Sequence, residues 1–369
     1  MNEMMGVINL INERDHMEEL TYRRCVASVP FGGRYRLIDF VMSGMVNSGI
    51  DNVAVFAHTK YRSLMDHLGS GKEWDLDRKR GGLFLLPPAL DETREIMKGD
   101  LYHFYSHRDY FYRSKEPYVV VARSHMVCNV DLRAALEFHK SADADITMLY
   151  GFQELDADAR CRRLLLDENS RVIDMQDHSG RLESPCISME MLILKKDLLL
   201  DLVETSLGQG YDHFVRDAVM KNIRNLNIYG YRHSGFLGVV NTLQSYYRNS
   251  LRLLNPETWR DLFFRPGLIY TKIKDEPPAK YGPFADVHNS LIANGCVIEG
   301  TVENSILFRG VRVRKGAVVR NSIVMQNGDI REKVSVENAI LDKEVLIRSN
   351  RMLRGEEEAP FIAVKRKII

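Results

Sequence analysis

The chain has 369 residues, 45% of them hydrophobic, and its 51 basic side chains nearly balance 50 acidic ones, leaving a formal charge of +1. That length exceeds the roughly 250 to 300 residues at which single cores divide, so two domains are expected. The charge balance advertises no nucleic-acid partner, and no apolar run reaches the ~18 residues of a membrane span; five scattered cysteines without a CxxC pair fit neither a disulfide framework nor a zinc site. A cytoplasmic protein with buried free thiols is the expectation.

In chain order, β-branched apolar runs predict buried strands at GVINLI (6–11), NVAVFA (52–57), YVVVAR (118–123) and ADITMLY (144–150). Between them, IDFVMSGMVNSG (38–49) and VDLRAALEFHKSA (130–142) carry apolar residues at helical spacing, and Gly49 is a helix stop. Strand, helix, strand alternation implies a parallel sheet covered by helices, hence a Rossmann-like α/β domain over residues 1–255. Residues 256–285 hold five of the eleven prolines without a sustained period and read as a linker or crossover. From Ile292 onward, apolar residues recur four apart (Ile298 and Val302, Val319 and Ile323, Val336 and Ile340) and six apart (Ile292 and Ile298, Val313 and Val319, Ile330 and Val336). A hexad of that kind stacks short parallel strands in a coil, so residues 286–369 are expected to form a left-handed parallel β-helix whose open end pairs with another subunit.

Smaller signals take ordinary readings. GSGK (69–72) lacks the earlier glycine of a phosphate loop and has Glu73 where Ser or Thr is required, so it reads as a turn. His103 and His107 stand at helical spacing without the glutamate of a metal helix, FYSHRDYFY (104–112) fits a packing surface, and VKRKII at the end fits a solvated tail or subunit contact.

VPFGGRYRLIDFVMSGMVNSGI (29–50), followed by the hexad region 290–330, resembles the bacterial glucose-1-phosphate adenylyltransferase (ADP-glucose pyrophosphorylase) family over nearly the whole chain. The resemblance implies a reaction in which ATP and glucose 1-phosphate give ADP-glucose and pyrophosphate with Mg²⁺. In-line displacement at phosphorus needs phosphate donors, a metal and fixed alignment.

The family residues that meet those needs are missing. The family's glycine-rich run Gly-Gly-Arg-Gly-Ser-Arg-Leu falls on Ile11, Asn12, Glu13, Arg14, Asp15, His16 and Met17, so nothing remains of a backbone able to cradle phosphate closely, and Glu13 and Asp15 would bring carboxylates towards it. The nucleotide-contacting Gly-Thr-Ala-Asp-Ala appears as GDLYH, keeping only Gly99. The Gly-Asp-His triplet whose aspartate holds the metal appears as Arg123-Ser124-His125, and Ser124 is no hard anionic ligand; Asp131, seven residues on, reads as a helix cap instead. The second metal aspartate, in Gly-Tyr-Trp-x-Asp-Val-Gly-Thr, is replaced by Val239. The Glu-Lys-Pro element for sugar phosphate appears as Asp177 and His178 without a permanent cation, Glu190 stands where the family has a glycine near the sugar, and Val26-Ala27 replaces a Lys-Pro. Arg23 and Arg24 match basic positions that in the family touch phosphorylated effectors; ordinary carboxylate pairing is the alternative.

The pattern resembles the non-catalytic D-type subunit of the Gram-positive enzyme. It implies no metal or cofactor in this chain, Mg²⁺ only in a catalytic C-type partner, a mixed tetramer, and a small anionic effector as a further ligand. Residual nucleotidyl transfer, and a pocket that senses a sugar phosphate or nucleotide without chemistry, are the alternative readings.

Overall fold

In this computed structural model, residues 3–13, 15–88, 99–152, 161–177 and 184–369 are described. The apolar run Met4–Asn9, buried at every position, is the centre of a nine-stranded sheet. It pairs in parallel with Asn52–Phe56 on one side and Tyr118–Ala122 on the other, and Gly82–Leu86 extends the first side. Beyond Tyr118–Ala122 the sheet departs from the all-parallel expectation. Cys186–Lys195 joins it antiparallel and pairs antiparallel again with Ile146–Phe152. Its sequence, CISMEMLILK, is apolar almost throughout because both faces are covered, so it carries no alternation to mark it.

Helices cover both faces. Leu37–Asn47 starts where the Arg36 amide donates to the Asp39 carboxylate at 2.9 Å, a capping interaction, and packs Ile38, Val41 and Met45 against Ile8, Val53 and Val120. The opposite face is closed by Asp100–Ser106 and Lys196–Gly208, with Phe104, Leu199 and Val203 against Val7, Ala54 and Val121. Asp131 caps Leu132–Ser141 by accepting from the Arg133 amide at 2.9 Å. Among the described residues no helix is long and apolar enough to cross a membrane.

The stretch 256–285 is more ordered than a linker. Pro256–Phe264 is a helix: Asn255 accepts from the Glu257 amide at 2.8 Å, and Pro256 occupies the first turn where no amide partner is needed. Its Phe263 lies 4.8 Å, ring to ring, from Tyr35. Lys280–Tyr281 already pairs with Val297–Ile298, so the coil begins before residue 286.

From there three parallel five-stranded sheets wind into the left-handed β-helix. Val302, Val319, Val336 and Leu353 stack in register along one of them. At one corner of four successive coils an asparagine with positive φ (Asn289, Asn304, Asn321, Asn338) makes the turn, a conformation Asn tolerates better than most residues. The serines after the first three form a ladder: Ser290, Ser305 and Ser322 hydroxyls accept from the amides of Ser305, Ser322 and Ala339 at 3.1, 3.0 and 3.1 Å. Recurring Asn-Ser steps thus mark the coil as clearly as the hexads do.

The joint between α/β domain and coil is apolar. Pro30–Phe31 and Tyr35–Arg36 form a hairpin turning on Gly32 and Gly33, with φ of +58° and +83°, which few L-residues adopt. Phe31, Tyr35 and Tyr246 from the domain meet Ile306, Phe308, Ile323 and Ile340 from the coil in one cluster. The FGGRYR run is therefore the frame of the joint.

Candidate functional site

The cleft lies at the end of the central strands. There Glu13 turns inward from the loop after Met4–Asn9, with its side chain only 4% exposed. Its carboxylate accepts from the Ser124 amide at 2.7 Å, the Ser124 hydroxyl at 2.8 Å, the His125 amide at 3.1 Å and His125 Nδ1 at 3.1 Å. Burial alone would raise the Glu13 carboxyl, but the His125 hydrogen bond and charge, with Arg123 and Ser124, hold it below the usual carboxylate range. Arg123 completes the lock by donating to the Asn9 and Ile11 carbonyls at 3.1 and 2.5 Å and to Asp100 at 3.1 Å. All three residues of the Arg-Ser-His triplet hold the loop that replaces the glycine-rich run.

The residues present do not fit a magnesium ion. Ser124 spends its hydroxyl on Glu13, and the adjacent donors are amides and an imidazole, which attract an anion rather than a cation. Val239 lies beside this point, its strand Leu237–Val239 paired with Met126–Cys128 and the Val240 amide donating to the His125 carbonyl at 2.9 Å; its side chain is in the core. Among the described residues no group of three or more His, Cys, Asp or Glu could hold a metal.

The rest of the loop has also been reassigned. Ile11 is fully buried in the core. Asn12 takes φ of +51°, a backbone shape natural to glycine and tolerable to Asn. Asp15 accepts from the Met17 amide at 3.0 Å and the Thr21 hydroxyl at 2.9 Å, so its carboxylate secures the start of a short helix. Gly99 persists for packing: a Cβ there would sit 2.0 Å from the Asp212 carbonyl oxygen. Arg14 and His178 lie outside the described residues.

On the side expected for sugar phosphate, a cavity of about 310 Å³ is lined by Asp100, Arg123, Arg162, Asp177, Glu190 and Arg216 among others. Buried Arg162 donates to both oxygens of Glu190 at 3.0 Å and to Asp177 at 3.1 Å. The guanidinium is thus committed to two carboxylates. Glu190 sits on a bulge with φ of +51°, which accounts for a glycine being favoured at this position and costs a non-glycine residue on the order of 1 kcal/mol. Arg162 was not singled out from the sequence, and Arg123 entered only as the first residue of the Arg-Ser-His triplet, without a role.

Arg23 and Arg24 divide. Arg24 is buried, donates to the Leu20 carbonyl at 2.7 Å and pairs with Asp342 of the coil, so it takes the carboxylate-paired alternative. Arg23 is exposed on the rim of a cavity of about 360 Å³ between the domain and the coil, which Lys343 and Lys365 also line.

GSGK proves to be a turn, with Gly69 and Gly71 at positive φ, and His103 packs against His58 with rings 5.8 Å apart.

With that geometry in view, comparison with known proteins is direct. The nucleotidyl transferase family model matches residues 16–241, and the GlmU-like C-terminal hexapeptide model matches residues 277–359. The chain is 40% identical to the glycogen biosynthesis protein GlgD of Bacillus subtilis and 44% identical to that of Geobacillus stearothermophilus, in both cases over 99% of this chain and 96% of the relative. It is 29% identical to a glucose-1-phosphate adenylyltransferase of Bacillus mycoides over 94% of each. The chain belongs to the nucleotidyl transferase family, and within it to the group of the GlgD glycogen biosynthesis proteins.

Proposed function

We propose that this chain is a non-catalytic, activating subunit of a glucose-1-phosphate adenylyltransferase complex in glycogen biosynthesis, working in the cytoplasm in a mixed tetramer with a catalytic homologue. One observation carries the reading: the Glu13 carboxylate fills the point where the family's phosphate loop and metal aspartate meet, and the surrounding donors hold it there. An incoming triphosphate would meet a buried negative charge, and two unit charges ~4 Å apart repel by roughly 4 kcal/mol at an effective dielectric near 20. The likeness to GlgD proteins supports the glycogen role, and the likeness to glucose-1-phosphate adenylyltransferases supports a homologous partner. Activation needs only contacts that favour the partner's competent conformation, since differential contact of a few kcal/mol moves such an equilibrium.

Co-expression with a catalytic homologue tests this reading. A mixed assembly with higher specific activity than the homologue alone is expected; separate elution with unchanged activity contradicts it. The remaining cavity beside Arg162 and Arg216 supports a second reading, ligand sensing, and calorimetric titration of the isolated chain with glucose 1-phosphate distinguishes it.

A further inference from the structure

The coil has three faces, and the α/β domain packs on one of them, the sheet that holds Ile306, Ile323 and Ile340. The sheet that precedes it in each turn, from Asp286–His288 to Met352–Arg354, turns its outward side chains to the surface; Met352 is 78% exposed. Those side chains stand in two columns in register, one from Asp286 to Met352 and one from His288 to Arg354. The second column neutralises itself, Arg320 pairing with Glu303 at 3.0 Å and Arg354 with Glu337 at 3.3 Å. The two edges of the face do not. On the edge where the chain enters, Lys333, Arg348 and Arg351 are exposed. On the edge where it leaves, the earlier corners are Asn or Asn-Ser, but the last widens to residues 355–360 and exposes Glu356, Glu357 and Glu358. Among the described residues none of these six side chains makes a hydrogen bond or ion pair. Their neighbours are committed: Arg331 to Asp329 at 3.2 Å, and Glu332 as acceptor from the Ser349 hydroxyl at 2.9 Å.

We propose that this face pairs with the same face of a second copy of the chain, the two coils lying side by side about a twofold axis parallel to the coil axis. Such an axis exchanges the two edges while keeping each turn level with its counterpart. Arg348 and Arg351 lie in the same turn as the three glutamates, so the basic edge of one copy meets the acidic corner of the other, twice per interface. The same axis sets the Asp286 column against the His288 column, opposing an acid to an imidazole in the first turn. Turning the second coil end over end would instead bring like edges together and leave all six charges without partners. One chain thus supplies both halves of the charge pairing, which is what a twofold contact between identical copies requires. Five strands spaced about 4.8 Å apart cover only about 20 Å, a small area for an obligate contact, so charge must carry the recognition. The pairing concerns the chain with itself, and it stands whether or not the cleft has lost its chemistry.

Charge exchange decides it. The purified full chain, without any partner, is expected to sediment as a dimer at micromolar concentration and low salt, and to dissociate as salt is raised. R348E/R351E and E356K/E357K/E358K each place like charges at both edge contacts and should each weaken self-association by roughly tenfold or more in Kd. An equimolar mixture of the two should regain it, because every edge contact in the unlike pair is again between opposite charges. All five substitutions change exposed side chains without partners, and thermal melts that match the wild type verify that both variants fold. A wild-type chain that stays monomeric, variants that pair as well as the wild type, or a mixture no better than its components overturns the proposal. Association only with a catalytic homologue, lost in R348E/R351E, would assign the face to that partner and overturns it equally.

Discussion

Replacing Glu13 with Ala tests the lock in the cleft. The substitution removes the acceptor for two backbone amides, Ser124 and His125, together with the Ser124 hydroxyl and His125 Nδ1. Each buried amide left without a partner costs about 1–3 kcal/mol, while losing the buried charge itself removes a desolvation penalty. The net expectation is a destabilisation of about 3 kcal/mol, read as a shift in the urea midpoint of the α/β domain. E13Q keeps one acceptor oxygen and should lose roughly half as much. The pH dependence follows from the depressed carboxyl: its stabilisation is fully present above the ordinary glutamate value and is lost as pH falls through the folded one. The gap between wild type and E13Q should therefore narrow on acidification. An E13A loss below about 0.5 kcal/mol, or a wild-type to E13Q gap that is flat with pH, would refute the reasoning.

Three further outcomes follow from the same geometry. S124D sets a second carboxylate against Glu13 and should be strongly destabilising alone but largely relieved in the E13G/S124D double variant, a coupling that a double-mutant cycle in urea reads directly; additive effects count against the lock. D342A leaves Arg24 buried without its acid and should cost about 3–5 kcal/mol, with faster hydrogen exchange on both sides of the joint; a change confined to the coil contradicts the pairing. Lys343 is lowered to about 7 in the fold, so between there and the ordinary lysine value the unfolded chain binds more protons and stability should rise with pH. That rise should shrink in K343M, measured by thermal midpoints.

Much of this was legible in the sequence because it rests on local pattern. The hexads from Ile292 announce the coil, since an inward side chain must recur at each short strand. The missing glycines and the loss of acids at Ser124 and Val239 announce an altered cleft. What the pattern could not reveal was where the new side chains go. Glu13 reads equally as a charge pushed at phosphate or as an internal ligand, and only the position of the Ser124 and His125 amides, more than a hundred residues away, decides for the latter. Arg24 and Asp342 are 318 positions apart, so no local period links them. The helix Pro256–Phe264 was hidden by its prolines' neighbourhood, although Asn-Pro-Glu-Thr is itself a helix start. Cys186–Lys195 was hidden by uniform burial.

The most direct measurement is ADP-glucose formation by the purified chain alone, given ATP, glucose 1-phosphate and Mg²⁺. The account predicts no product above an enzyme-free control. Turnover that survives purification to homogeneity and disappears in D177N would contradict it, because the cavity beside Arg162 would then be supporting catalysis after all.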